Sequence, residues 1–142
     1  ACRLLRGRLQ RWITFMYNDS MQTAHDLNRI QTQPTSSVRL ALVELQTLLR
    51  QLYGAHAPVM LVYGSFARGQ ATADSDVDVV LIYPKDILPG TEIYRLREIL
   101  SNLNLRYQVL ISVLPVEKQN YKSFQTTFWK NVRREAVPFD RI

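Results

Sequence analysis

The chain is poor in the residues that build covalent frameworks and soft-metal clusters. Its one cysteine, Cys2, excludes an internal disulfide framework and a cysteine-built zinc site. The two histidines, His25 and His56, stand far apart in sequence, so a histidine-dominated metal site is not expected. Any bound metal must then be held by carboxylates, whose oxygens select hard ions such as Mg²⁺ or Mn²⁺. No apolar run approaches the ~18 residues of a membrane span, so no membrane span is expected, and the location expected is cytoplasmic. Acidic residues are in deficit, 12 against 18 lysines and arginines, for a formal charge of +6. Such a balance calls for a polyanionic partner: nucleic acid, nucleotide or an anionic membrane surface. It does not choose among them. What is present suits one folded domain. Of 142 residues, 46% are apolar and 21% charged, enough for a sizeable core and against wholesale disorder.

Residues 1–33 read as a basic N-terminal extension and linker, and 34–142 as the folded domain. The first 20 residues hold Arg3, Arg6, Arg8, Arg11 and Asp19, a net +3 and half of the total excess. Leu5, Leu9, Trp12, Ile13 and Met16 fall near helical spacing, which predicts an amphipathic helix. The chain opens on Ala1, and Met16 and Met21 are candidate initiators. A basic, acid-poor start also has the composition of a targeting peptide, but a plain extension is the preferred reading. Pro34-Thr35-Ser36-Ser37 closes the linker as a helix N-terminus.

Beyond this point the patterning is regular. Val38, Leu42, Leu45, Leu49 and Leu52 recur at steps of four and three, the stripe of a core-facing helix. Gly54 ends it at a position that needs a left-handed residue. Val59 to Tyr63 and Val77 to Tyr83 are continuous apolar runs, short enough for buried strands. Pro89 and Gly90 precede Thr91, a predicted cap for a helix carrying Ile93, Leu96, Ile99, Leu100 and Leu103. Tyr107 to Leu114 is a third β-branched run, closed by Pro115. Phe124 to Ala136 reads as a last helix, with Phe124, Phe128 and Trp129 as its core face and Lys130, Arg133 and Arg134 as a solvated basic face. The order predicts a small α/β layer with a three-stranded sheet.

The chemistry concentrates in Tyr63-Gly64-Ser65-Phe66-Ala67-Arg68-Gly69 and in Asp74-Ser75-Asp76-Val77-Asp78-Val79. A strand that runs into Gly64-Ser65 lets a phosphate approach the backbone, and free amides at the start of the next turn point at an anion. Ser65 adds a hydroxyl donor and Arg68 a charged one. Asp76 and Asp78 stand two apart at a strand start, so period two places both carboxylates on one face. Two such carboxylates beside a phosphate loop suit divalent ions and in-line phosphoryl transfer. Val77, Val79 and Leu81 point the other way, into the core. A lone Gly-Ser is only a turn, and Asp-Ser-Asp can be a cap. The combination carries more than its parts.

Gly64, Ser65, Ala67, Arg68, Gly69, Ser75, Asp76 and Asp78 together resemble the signature of the DNA polymerase β-like nucleotidyltransferase superfamily in its minimal (MNT) form. The resemblance covers roughly 38–138, including the closing Asn131-Val132-Arg133-Arg134-Glu135-Ala136-Val137-Pro138. It implies an α/β (α+β) fold with a small mixed sheet of about three strands flanked by helices. It implies that Gly64 and Ser65 hold the β/γ phosphates of an NTP, with Arg68, Gly69 and Ser75 completing the nucleotide-binding stretch. It implies Asp76 and Asp78 as catalytic ligands of Mg²⁺ or Mn²⁺.

Active members usually carry a third carboxylate on the third strand. Here Tyr107-Gln108 stands where relatives have Tyr-Asp, so Gln108 is the expected, uncharged replacement, and it puts catalysis in question more than binding. No acid lies in 107–116, and Glu92 and Glu117 could stand in only if the fold brought them to the site. The function implied is transfer of a nucleoside monophosphate, with AMP from ATP preferred, to a hydroxyl of a partner protein. Such domains resemble the antitoxins of MNT–HEPN toxin–antitoxin pairs, which makes a HEPN-type toxin the expected partner in a hetero-complex. Two alternatives stay open: a catalytically impaired nucleotide-binding antitoxin, and a small-molecule (antibiotic) nucleotidyltransferase. Nucleic acid is not expected as direct substrate, since no stacking motif or groove-reading helix accompanies the charge.

Overall fold

Val38, Leu42, Leu45 and Leu49 form, with Ala41, the buried face of helix α1 (Pro34–Tyr53). The computed structural model describes residues 34–142, which are one compact unit. The helix expected in 1–18 and the residues Cys2, Trp12, Met16, Met21 and His25 lie outside the described residues. Each fully buried leucine of α1 contributes about 1.5–3 kcal/mol relative to exposure. The stripe stops short of Leu52, which is 46% exposed, because the chain leaves the helix at Gly54 (φ +59) into a 3₁₀ turn, Gly54–His56.

Strands β1 (Val59–Tyr63) and β2 (Val77–Tyr83) fall on the two apolar runs and pair antiparallel. Helix α2 (Pro89–Tyr107) begins two residues before the expected cap. Pro89 takes the first helical position, where its missing N–H is no loss, and Thr91 already donates its amide to Leu88 O at 3.0 Å.

The third strand differs from expectation. α2 runs through Tyr107, and Gln108 caps it in the left-handed conformation (φ 52, ψ 47). Asn104 organises the exit: its carbonyl accepts the Val109 amide at 3.2 Å, and its side-chain oxygen accepts the Ile111 amide at 3.0 Å. Strand β3 is therefore Ile111–Glu117, parallel to β2. It passes through Pro115 rather than stopping there, because β3 is an outer strand and proline is tolerated on a sheet edge.

The last helix expected over Phe124 to Ala136 is helix α4 (Thr127–Glu135), and a short helix that was not expected, α3 (Lys118–Ser123), precedes it. Thr126 stands between them: its hydroxyl accepts the Trp129 amide at 3.4 Å and caps α4. A fourth strand, β4 (Val137–Pro138), then pairs with β1, so the sheet has four strands rather than three, in the order β3-β2-β1-β4.

Alternation along the strands feeds two cores. Val62, Val77, Val79, Leu81 and Ile111 face α1 and α2 in the larger one. Val80, Ile82 and Val116 face Val132 of α4 in the smaller. Among α4 residues only Val132 is buried. Phe124 and Phe128, expected in the core, are 39% and 50% exposed. They stack instead around Trp129, at ring-centroid distances of 5.7 and 5.4 Å. Among the described residues no helix is long and apolar enough to cross a membrane.

Candidate active site

The site begins where β1 ends. Gly64 turns the chain with φ +75, a region an L-residue enters only at a cost. A second constraint is sharper: a Cβ on Gly64 would lie 2.4 Å from Asp78 Oδ2. A side chain there would therefore meet both a strained dihedral and the Asp78 carboxylate, which it would have to displace. The following turn is closed by the amides of Arg68, Gly69 and Gln70, which donate to Gly64, Phe66 and Ser65 carbonyls at 3.1, 3.3 and 2.9 Å. The amides of Ser65, Phe66 and Ala67 stay outside that set of bonds. Phe66 is buried in the larger core and pins the loop from below. Gly69 also has positive φ (+69), but nothing lies within 4 Å of its Cβ position, so only the dihedral demands glycine there.

Asp78 is the second residue of β2, level with Tyr63 on one side and Ser112 on the other. It projects from the sheet face that carries Val80 and Ile82. Burial pushes its carboxyl above the usual range, the charge of Asp76 pushes it further, and Arg68 opposes them. Asp76 is one residue outside β2, two positions before Asp78. Tyr63 is pushed up by burial and then by Asp78.

Arg68 is steered from a distance in sequence. Its Nη1 donates to Glu135 Oε2 at 3.0 Å and its Nε to Gln70 Oε1 at 3.2 Å. Ser75 uses its hydroxyl within its own loop, accepting the Thr72 amide at 2.8 Å, and so shapes the approach to Asp76.

Gln108 does not stand beside the aspartates on β3. It ends α2, three residues before the strand, and the β3 residue level with Asp78 is the exposed Ser112. Glu117 pairs with Tyr83, at the far end of β2. Glu92 is buried at that same end, accepting from Tyr53, whose hydroxyl accepts in turn from Tyr83 at 3.3 Å. Neither acid reaches Asp76 and Asp78. Among the described residues, no group of three or more His, Cys, Asp or Glu side chains could hold a metal. The two aspartates nevertheless fit a Mg²⁺ ion, which is held by one or two carboxylates plus substrate phosphates. A divalent cation also relieves the burial and mutual repulsion that raise Asp78. The sequence assigns no site role to Tyr63, Ser112 or Glu135, and it places Phe128 on the core face of the last helix rather than as a base-stacking platform. Strand register reveals the first two, and only the fold brings the others near.

The family model for the nucleotidyltransferase domain matches residues 42–136. A protein of Methanocaldococcus jannaschii named "Putative protein adenylyltransferase MJ0604" is 25% identical over 97 residues, 68% of this chain and 91% of that protein. A solved structure of a "putative minimal nucleotidyltransferase" has a TM-score of 0.45 at 22% identity, covering 70% of this chain and 94% of the other. One of a "putative nucleotidyltransferase" from Sulfolobus solfataricus has a TM-score of 0.44 at 12% identity, covering 82% and 88%. The family match spans well over half of the chain, from α1 through the glycine turn and both aspartates to the end of α4, and the chain belongs to the nucleotidyltransferase domain family of transferases.

Proposed function

We propose that this chain transfers AMP from ATP to a hydroxyl of a partner protein. The observation that carries the reading is the approach of Asp78 Oδ2 to the place a Gly64 side chain would fill. It brings a bare stretch of backbone and the Asp78 carboxylate to one spot, with Asp76 two residues before it in sequence, which suits a phosphate-transfer site. The backbone at Gly64-Ser65 and the Ser65 hydroxyl bind the β and γ phosphates. Arg68, held by Glu135 and Gln70, adds positive charge beside the loop. Asp76 and Asp78 hold Mg²⁺ or Mn²⁺, which when bound neutralises the triphosphate and favours departure of pyrophosphate. The acceptor oxygen bonds to the α-phosphorus as the bond from that phosphorus to the β-bridging oxygen breaks. The hydroxyl proton passes to solvent.

A protein acceptor is supported by the name of the Methanocaldococcus relative. A HEPN-type toxin in the cytoplasm is the partner proposed, on the resemblance to MNT antitoxins. The test is incubation with ATP labelled at the α-phosphate, Mg²⁺ and a HEPN protein. Label should move to the partner, and the Asp76→Asn and Asp78→Asn variants should not transfer it. Label on an aminoglycoside instead would move the acceptor to the small-molecule class.

One observation favours a second reading, neutralisation of the partner by contact alone. Ser112 rather than an acid stands level with Asp78. Both readings expect ATP binding that Asp76→Ala weakens, but pyrophosphate release belongs only to the first.

A further inference from the structure

Phe128 has no place in either core, yet it adjoins the site. Its ring meets Tyr63 edge to face at 6.3 Å. Tyr63 is level with Asp78 across the β1–β2 pair and immediately precedes Gly64. Phe128 is half exposed and is backed by Trp129 at 5.4 Å in a T-shaped contact. Trp129 is held in turn by Tyr121 at 6.2 Å. A rigid aromatic group with an open surface thus begins one ring beyond the carboxylates. Exposing so large an apolar side chain gains the fold little. The two halves of the surface match the two halves of one class of ligand: anionic phosphates at the glycine turn and aspartates, and a flat apolar ring at Phe128.

We infer that Phe128, steadied by Tyr63 and Trp129, is the shelf on which the nucleobase of the substrate stacks, and that it favours the larger purines over pyrimidines. The inference rests on the nucleotidyltransferase reading of the site and adds the base-recognition residue to it. Stacking on an aromatic face is sequence-tolerant but scales with the overlapping surface, which is why ring size is what such a shelf discriminates.

The experiment is calorimetric titration of the full chain with Mg²⁺-ATP, Mg²⁺-CTP and Mg²⁺-tripolyphosphate, the last carrying phosphates without a base. Phe128→Ala should weaken ATP on the order of tenfold and leave tripolyphosphate unchanged, so that the preference for ATP over CTP shrinks. Phe128→Leu keeps apolar bulk but loses the flat ring, and should behave like Phe128→Ala. Phe128→Tyr should bind as the native chain does. Equal losses for ATP and tripolyphosphate, or none for either, overturn the inference. So does an unchanged ATP affinity joined to lost transfer to a protein acceptor, which would assign the patch to the acceptor. If the native chain binds ATP and Asp76→Ala weakens it while Phe128→Ala leaves it unchanged, only the base shelf fails. If the native chain binds neither ligand, the nucleotidyltransferase reading fails with it.

Discussion

At the scale of single residues, the two glycines of the phosphate turn separate dihedral strain from steric conflict. Gly64→Ala and Gly69→Ala each force an alanine into a left-handed conformation, at about 1–2 kcal/mol of stability. Only the first also drives a methyl into Asp78 Oδ2. That oxygen ends a flexible side chain, so the conflict moves the carboxylate rather than unfolding the chain. Both variants should therefore lose similar stability in chemical denaturation, while only Gly64→Ala loses Mg²⁺-dependent transfer, by about 100-fold or more, the scale of losing a group that acts in the transition state. Asp78 makes a second prediction. Its carboxyl is raised by burial and by Asp76, so its neutral form is the one the fold prefers. The stability it contributes is full below the unfolded value near 3.9 and is lost as pH rises through the higher folded value. Asp78→Asn should accordingly raise Tm at pH 7 and leave it unchanged at pH 3. Added Mg²⁺ should narrow the gap at pH 7 by stabilising the native chain alone. The sequence announced Gly64, Asp76 and Asp78 because their chemistry is local, spelled by neighbours within one strand and one turn. It could not announce Glu135, which reaches Arg68 across 67 positions.

At the scale of elements, the α2–β3 junction decides which residue faces the aspartates. The apolar run beginning at Tyr107 looked like the start of a strand because periodicity over a short stretch does not separate helix from strand. Tyr107 serves the helix: its hydroxyl donates to Glu44 of α1 at 2.6 Å, and Arg106 pairs with the same carboxylate. Those contacts carry the helix through Tyr107, where local apolarity predicted a strand. Gln108 then pays the left-handed cost at the exit. Gln108→Gly should thus stabilise the chain by about 1 kcal/mol without altering transfer, and Gln108→Asp should not strengthen metal binding. Ser112→Asp should, because parallel pairing sets residue 112 level with Asp78. Titration with Mn²⁺ reads both variants. The same limit explains why α4 starts three residues later than the aromatic spacing implied. The aromatic spacing from Phe124 onward suggested one buried helix face, but Thr126 is a good cap, and of the α4 side chains only Val132 is fully buried while Trp129 packs partly buried against the same core.

At the scale of the whole described unit, the sheet divides its labour between faces. The larger core locks α1 and α2 to the sheet, whereas the smaller one holds α4, the element that touches the site through Phe128 and Glu135. Damage to the two cores should then read out differently. Leu45→Ala removes a fully buried side chain and should cost about 2–5 kcal/mol, with ATP affinity preserved in the folded fraction. Val132→Ala should cost less stability, yet weaken ATP binding by loosening α4. Denaturation and titration of the two variants together check the pair. Family membership was legible because the diagnostic residues cluster. The fourth strand was not, since two residues carry no periodicity of their own and Val137–Pro138 becomes a strand only by lying against Leu61 and Val62. That short strand and β3 are the two borders of the sheet, and each carries a proline, Pro138 and Pro115. A border strand that lacks a donor is a poor template for a further strand. The sheet is thereby guarded against recruiting stray chains into growing aggregates, and a partner protein must be met through side chains and helices rather than by adding a strand.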